Sequence, residues 1–258
     1  MMLLTLIIRN DRITLGAHQS GSLIARAEIG ADKQKTADEY AVLFKSILDI
    51  RQIPTKEFEG AICASVVPSL TETLKDAVNL LLGVRMHVIG SGIKTGLTIK
   101  TENPAELGAD LVAEAVGALA KYTPPMVLIH CGTAITFSYL DAEGAFLGCA
   151  IAPGLSLAAK ALSDAAGLLP DVSHALPKSV IGKNTAESLR AGTLLGTASM
   201  IDGMLSRMEK EQGAAIAILS GTEADVLYPS LWHSVHKDDT LALSGLFIIY
   251  EKNKRNKR

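Results

Sequence analysis

The stretch Leu6-Ile7-Ile8-Arg9-Asn10-Asp11-Arg12-Ile13-Thr14 is answered later in the chain by Leu128-Ile129-His130-Cys131-Gly132-Thr133-Ala134-Ile135-Thr136. Each copy is an apolar run, a turn and a return into strand-forming residues, the pattern of two strands joined by a tight connection. Working outward, residues 3–8 and 13–17 read as strands, and a turn at Ser20-Gly21-Ser22 leads into a third at 23–29. Around the second copy, strands are expected at 126–129, 134–140 and 145–147, with Asp141-Ala142-Glu143-Gly144 as the turn before the last. Both halves, 1–122 and 123–258, then alternate helices and strands. Such alternation predicts α/β layers, with helices packed on a mixed sheet. The repeat implies a duplicated unit with one turn from each copy facing a shared cleft, where loops at strand ends commonly hold ligands.

Helix signals punctuate this frame. Thr36 with Glu39 three residues on is a capping-box signature, and Tyr40, Leu43, Phe44 and Ile47 follow at helical spacing. A strand over 61–67 ends at Pro68, and Ser69 with Glu72 is read as a second capping box opening a helix that stops at Gly83. Another strand is expected at 86–89. Asn103, Pro104 and Glu106 supply an N-cap, a first-turn proline and an acidic third position for a helix running to about Tyr122, where Thr123-Pro124-Pro125 breaks the chain. A helix over about 185–211, a strand at 214–219 and a final helix over 241–252 complete the pattern.

Composition excludes several classes. The chain has 258 residues, 48% apolar and 20% charged, the profile of a compact protein with a substantial core. A net charge of −2 argues against a general nucleic-acid binder, which needs a basic surface to neutralise phosphates. The basic tail, with four Lys or Arg among its last five residues, reads as a solvated terminus. Cys63, Cys131 and Cys149 are odd in number and widely spaced, so a reducing, cytoplasmic setting without a disulfide framework is expected. Residues 1–8 lack the basic start and cleavage site of a secretory signal, and no apolar run approaches the ~20 residues of a membrane span.

Cys131-Gly132-Thr133-Ala134 is a candidate phosphate-cradling turn, because glycine lets backbone N–H groups approach an anion and Thr133 adds a hydroxyl. Alone it is a weak signal and reads more readily as an ordinary hairpin turn. Its neighbours add to it. The string KTGLTIKTENPAELGADLVAEAV from Lys94 is similar to the segment of type III pantothenate kinases that carries a Gly-Ala-Asp-Arg substrate motif. VLIHCGTAITF resembles their Asp-Phe-Gly-Thr-Ala-Thr-Thr turn, and YLDAEGAFLGCAIAPGLSLAAKAL resembles the segment that follows. SVIGKNTAESLRAGTLLGTASMIDGM is similar to their Gly-Lys-Asn-Thr helix entry; SVVPSLT and LALSGLFIIYEKN match in order and spacing. The resemblance covers roughly residues 2–253.

It implies the acetate and sugar kinase, heat-shock protein 70 and actin fold class (ribonuclease H-like). It also implies a homodimer that phosphorylates pantothenate from ATP, the first step of coenzyme A synthesis, with Mg²⁺ and a monovalent cation. Carried over by position, Asp110 falls on the general base that accepts the pantothenate hydroxyl proton. Gly108, Ala109, Asp110, Leu111 and Thr185 fall on substrate-binding positions, and Asn10, Asp11, Gly132 and Thr133 on nucleotide-binding ones. The departures lie where charge must be managed. Ile7 stands where the family's metal-serving Asp is expected, Arg9 where its phosphate-admitting Gly is, and His130 where the Asp serving the monovalent cation is. Leu111 replaces the motif's Arg, Cys149 a glycine, and Gly221-Thr222 a late Gly-Gly. No metal ligand is expected at Ile7 or His130.

The resulting expectation is a family member with lost or impaired turnover. It would act as a pseudo-kinase subunit, as a homodimer or beside an intact partner subunit, or as a protein that binds pantothenate or ATP. The alternatives are an active kinase with an atypical metal and phosphate site, and a purely structural interaction protein. Arg9 and Arg12 read as solvated hairpin arginines, the alternative being guanidinium charge replacing metal at a phosphate. His130, Cys131 and Cys149 carry no zinc spacing, and the thiols read as buried space-fillers.

Overall fold

The computed structural model describes residues 2–166, 169–170 and 172–255. The chain divides into two compact units. One comprises the chain up to Leu97, Glu102–Tyr122 and the segment from Thr240; the other comprises Thr98–Thr101 and Thr123–Asp239.

The first unit is built on strands β1 (Met2–Ile8), β2 (Arg12–Gln19), β3 (Ser22–Gly30), β4 (Phe58–Ser65) and β5 (Met86–Val88), in the order β3-β2-β1-β4-β5. The first three strands pair antiparallel, while β4 lies parallel to β1 and β5 parallel to β4. Every residue of β1 is buried, so its continuous apolar run faces covered layers on both sides. Met2, Leu4, Leu6 and Ile8 pack with Tyr40 and Phe44 of α1 (Ala37–Ile50) and Leu70 and Leu74 of α2 (Pro68–Leu82). Leu3 and Ile7 pack with Ala113 and Val116 of α3 (Ala109–Leu119) and with residues of the C-terminal helix. The alternation follows from the two-residue period of a strand.

The second unit repeats the plan. Strands β6 (Met126–Cys131), β7 (Ala134–Leu140) and β8 (Phe146–Pro153) pair antiparallel, and β9 (Ile216–Ser220) and β10 (Val235–Lys237) add parallel strands in the order β10-β9-β6-β7-β8. Its helices are α4 (Leu155–Ala165), α5 (Thr185–Arg190), α6 (Gly196–Gln212) and α7 (Ala224–Leu227). A π-helical turn, Ala191–Leu195, joins α5 to α6, so the expected long helix is present with a bulge inside it. Val127, Ile129 and Cys131 pack with Leu194, Ile201 and Leu205 from this helical stretch. Equal strand order in both sheets is the duplication that the paired sequence motifs imply.

Several expectations change in detail. The last helix, α8 (Leu241–Arg255), belongs to the first unit rather than to a 123–258 half, because Leu243, Leu246 and Ile249 join the core that contains Leu3 and Ile7. Residues 98–101 go to the second unit through a bridge between Ile99 and Phe146. The Thr36–Glu39 capping box is present, but α2 has no such box: Val67 is its N-cap and Pro68 its first residue. There the Thr71 hydroxyl donates to the Val67 carbonyl at 3.0 Å and lies 2.7 Å from Ser65 Oγ. Gly83 ends α2 in the left-handed region (φ 66°), where a residue without Cβ is unstrained. Asn103 caps only a 3₁₀ turn, Pro104–Glu106; extended Leu107 and Gly108 then interrupt the helix, and α3 starts at Ala109. Helix α4 and strand β10 had no counterpart in the sequence reading. Among the described residues no helix is long and apolar enough to cross a membrane.

Candidate functional site

In the first unit, the β1–β2 turn is closed by the Arg9 N–H donating to the Arg12 carbonyl at 2.9 Å. Ile7, 1% exposed, points into the apolar core shared with α3 and α8. Arg9 points elsewhere. Its Nε donates to Asp110 Oδ2 at 3.0 Å, with the two side chains 20% and 12% exposed. The reading of Arg9 as a solvated hairpin residue is therefore corrected: a carboxylate 101 positions away in sequence holds it. Arg12 is half-exposed and lies near Asp11 and Glu28. Asn10 and Asp11 are exposed at the turn tip.

The break before α3 serves this pair. Extended Gly108 turns the chain so that Asp110 enters the first helical turn, where a carboxylate suits the positive end of the helix dipole. A Cβ at Gly108 would lie 2.8 Å from Asp110 Oδ1, so glycine leaves room for that oxygen. One carboxylate oxygen is thus taken by the guanidinium and the other lies against the Gly108 backbone. Ala109 is half-buried, while Leu111 is buried at 9% exposure. Sequence reasoning passed over Glu114, a second buried acidic residue one turn further along α3.

In the second unit, loops at the ends of β6, β7, β8 and β9 meet. The Gly132 N–H donates to the Ala134 carbonyl at 3.1 Å, and the Gly154 N–H to the Thr133 carbonyl at 3.0 Å. A Cβ on Gly154 would lie 1.9 Å from the Gly132 carbonyl oxygen, and one on Gly221 (φ 102°) 2.2 Å from that of Cys131. These glycines therefore let three backbone segments approach one another. Two carboxylates that sequence reasoning missed occupy this cluster. Glu223 accepts from the Leu155 and Ser156 N–H groups, both at 2.8 Å, and so caps α4; Asp239 accepts from the Gly221 N–H at 2.9 Å. Neither residue belongs to a sequence signature, since a carboxylate reaching a distant helix end leaves no local pattern. Thr133 is exposed at the turn, and Thr185, at the start of α5, lines a cavity of about 620 Å³ with Pro153, Leu162, Leu189 and Thr193. His130 Nδ1 lies 3.0 Å from Ser220 Oγ. Cys131 is buried, but Cys149 is exposed, so the space-filling reading holds for the first thiol and not for the second.

The registers align the two turns. The β1–β2 ladder closes at Ile8 and Ile13, and the β6–β7 ladder at Cys131 and Ile135. Ile7 and His130 thus each stand one residue before the closing pair.

Two mixed five-stranded sheets of matching strand order, each covered by helices, give the fold of the class that includes actin, heat-shock protein 70 and the sugar kinases. Solved structures agree on the fold. An activator of 2-hydroxyisocaproyl-CoA dehydratase from Clostridium difficile, with bound ADPNP, superposes with a TM-score of 0.56 at 11% identity, over 100% of this chain and 97% of that one. A ROK hexokinase from Thermus thermophilus gives a TM-score of 0.52 at 13% identity, over 99% of this chain and 100% of that one. Within that class the sequence is decisive. A family model described as type III pantothenate kinase matches residues 3–207. A type III pantothenate kinase of Exiguobacterium sp. strain AT1b is 37% identical over 254 residues, 98% of this chain and 100% of its own length. The chain belongs to the type III pantothenate kinase family.

Proposed function

We propose that this chain serves the family's step, ATP-dependent phosphorylation of pantothenate at the entry to coenzyme A synthesis, with little phosphoryl transfer of its own. It would contribute as a cytoplasmic ligand-binding protein or as one subunit of a dimer. The observation that carries this reading is Ile7, 1% exposed in an apolar core at the position the family resemblance gives to a metal-serving carboxylate.

A divalent cation bound with a nucleotide neutralises phosphate charge, and hard cations need oxygen ligands. A buried hydrocarbon supplies none, and the nearest acidic residue in sequence, Asp11, is exposed and lies 3.6 Å from Arg12. The residues present therefore do not fit a divalent cation at this turn. A monovalent cation fits no better at His130, whose Nδ1 lies within hydrogen-bonding distance of Ser220 Oγ. In the second unit, the Gly221, Leu155 and Ser156 N–H groups are already bonded to Asp239 and Glu223.

What survives favours recognition over transfer. Asp110, the candidate base, stays in the first turn of α3 with Gly108 making room for it. Thr185 lines a cavity of about 620 Å³ in the second unit. Removing one preorganised electrostatic contribution typically costs ~10²–10³ in rate. Pure protein incubated with ATP, Mg²⁺ and pantothenate should therefore form phosphopantothenate at least ~10²-fold more slowly than an intact family member; a comparable rate would refute the proposal. In the subunit version, adding this chain to an intact homologue raises activity above that of the homologue alone, and no gain removes that version.

A further inference from the structure

We infer that His233 and Glu209 form a binding site for a divalent transition-metal ion of the zinc class on the second unit. The inference is independent of the proposed function, since neither residue belongs to the substrate or nucleotide positions.

Helix α6 sets the site out. Asp202, Ser206 and Glu209 recur at spacings of four and three residues, which places them along one face of the helix. Beside them runs the segment that follows the 3₁₀ turn Tyr228–Ser230. Asp202, its side chain 5% exposed, fixes that segment by accepting from the Trp232 and His233 N–H groups, both at 3.0 Å. Its Oδ1 also lies 2.9 Å from His233 Nδ1. A carboxylate can only accept, so Nδ1 carries a proton, and Nε2 of the neutral ring presents a lone pair. Nε2 lies 3.6 Å from Glu209 Oε2 and 3.5 Å from Ser206 Oγ.

The imidazole nitrogen and the carboxylate oxygen are thus two electron-pair donors at the separation a metal ion spans. In a tetrahedral zinc centre, with bonds to nitrogen and oxygen near ~2.1 Å, the two ligand atoms stand about 3.4 Å apart. Donation of the other ring N–H to a carboxylate is the arrangement that orients metal-binding histidines. One imidazole with one carboxylate suits zinc, cobalt or nickel better than magnesium, which takes oxygen ligands. The His233 and Glu209 side chains are 24% and 37% exposed, so an ion can enter from solvent. Among the described residues no three His, Cys, Asp or Glu converge to hold an ion, so water completes the coordination and the ion exchanges readily. Occupancy ties the segment carrying Trp232 to α6.

Trp232 is the chain's one tryptophan, 84% exposed and adjacent to His233, so its fluorescence reports the site. The test titrates the full chain, stripped with EDTA and dialysed, with CoCl₂, whose paramagnetic ion quenches a neighbouring indole. The site predicts saturable quenching by a single ion per chain, reversed by ZnCl₂ and not by excess MgCl₂. A group that only orients a metal-binding histidine is typically worth ~10–100-fold in affinity, so losing a ligand should weaken cobalt binding at least ~10-fold. That loss is expected in both His233→Gln and Glu209→Gln, while His236→Gln, at an exposed position three residues on, should bind as wild type does. Glu209→Gln changes an exposed side chain and keeps the test open should His233→Gln not fold. Quenching that fails to saturate, that Mg²⁺ reverses, or that persists unweakened in either ligand variant would overturn the inference.

Discussion

His18 shows how a single side chain couples this fold to pH. It is 2% exposed on β2, its Nε2 lies 3.1 Å from Thr5 Oγ1, and its ring stacks on Phe247 at 5.1 Å. Burial pushes its pKa down from 6.5 to about 4. The unfolded chain accepts this proton near pH 6.5 while the folded chain resists it. His18 therefore contributes fully above that pH, and its contribution is lost as pH falls towards 4, by roughly 3 kcal/mol at most. Urea midpoints at pH 7.5 and 4.5 should differ less in His18→Gln than in wild type; equal differences would contradict this. At Gly108, a Cβ would meet Asp110 Oδ1 at 2.8 Å. Gly108→Ala should displace that carboxylate and cost about 1–3 kcal/mol in denaturant unfolding. The motif around Asp110 and Gly108 drew attention to both in the sequence, and the structure places the Asp110 carboxylate against Gly108. Arg9 was misread because turn residues are usually exposed, and nothing local in sequence announces a partner on another element.

Helices α3 and α8 approach closely enough that backbone meets backbone. A Cβ on Gly117 would lie 1.9 Å from the Leu241 carbonyl oxygen, and one on Gly245 1.8 Å from that of Ala113. Neither contact can relax by turning a side chain. Gly117→Ala or Gly245→Ala should destabilise the chain by ~1–3 kcal/mol or more, read as a lowered urea midpoint. Unchanged midpoints would mean the helices can slide apart freely. Helix α8 was recognisable from its apolar spacing, but spacing says nothing about which sheet a helix covers, so its return to the first unit was not. The break at Leu107 and Gly108 was hidden for a related reason. Asn103, Pro104 and Glu106 spell a helix start, and the apolar pattern continues through the interruption. The capping box at Thr36 was legible because both of its partners are local; the Ser69–Glu72 pair met the same pattern, but the helix starts at Pro68 with Val67 as N-cap, two residues earlier.

At the scale of the whole molecule, the fold is a duplication whose copies kept strand order and changed their turns. The β10 strand, three residues long, was too short to register as a pattern, yet it completes the correspondence. Because α8 supplies Leu243, Leu246 and Ile249 to the core under β1 and β4, ending the chain before Thr240 should unfold the first unit. Hydrogen exchange is expected to lose protection in β1, β2 and β4 of such a truncation, while β6, β7 and β9 keep theirs. Retained protection in β1 would show that the helix is dispensable. The proposal of weak turnover rests on the end of β1 and the turn after it, where Ile7 belongs to the strand's buried run and Arg9 opens the turn. A crystal soaked with Mn²⁺ and a non-hydrolysable ATP analogue tests that directly by anomalous scattering. The account expects no manganese coordinated by protein oxygen at residues 7–11; a manganese peak about 2.2 Å from a protein oxygen there would contradict it.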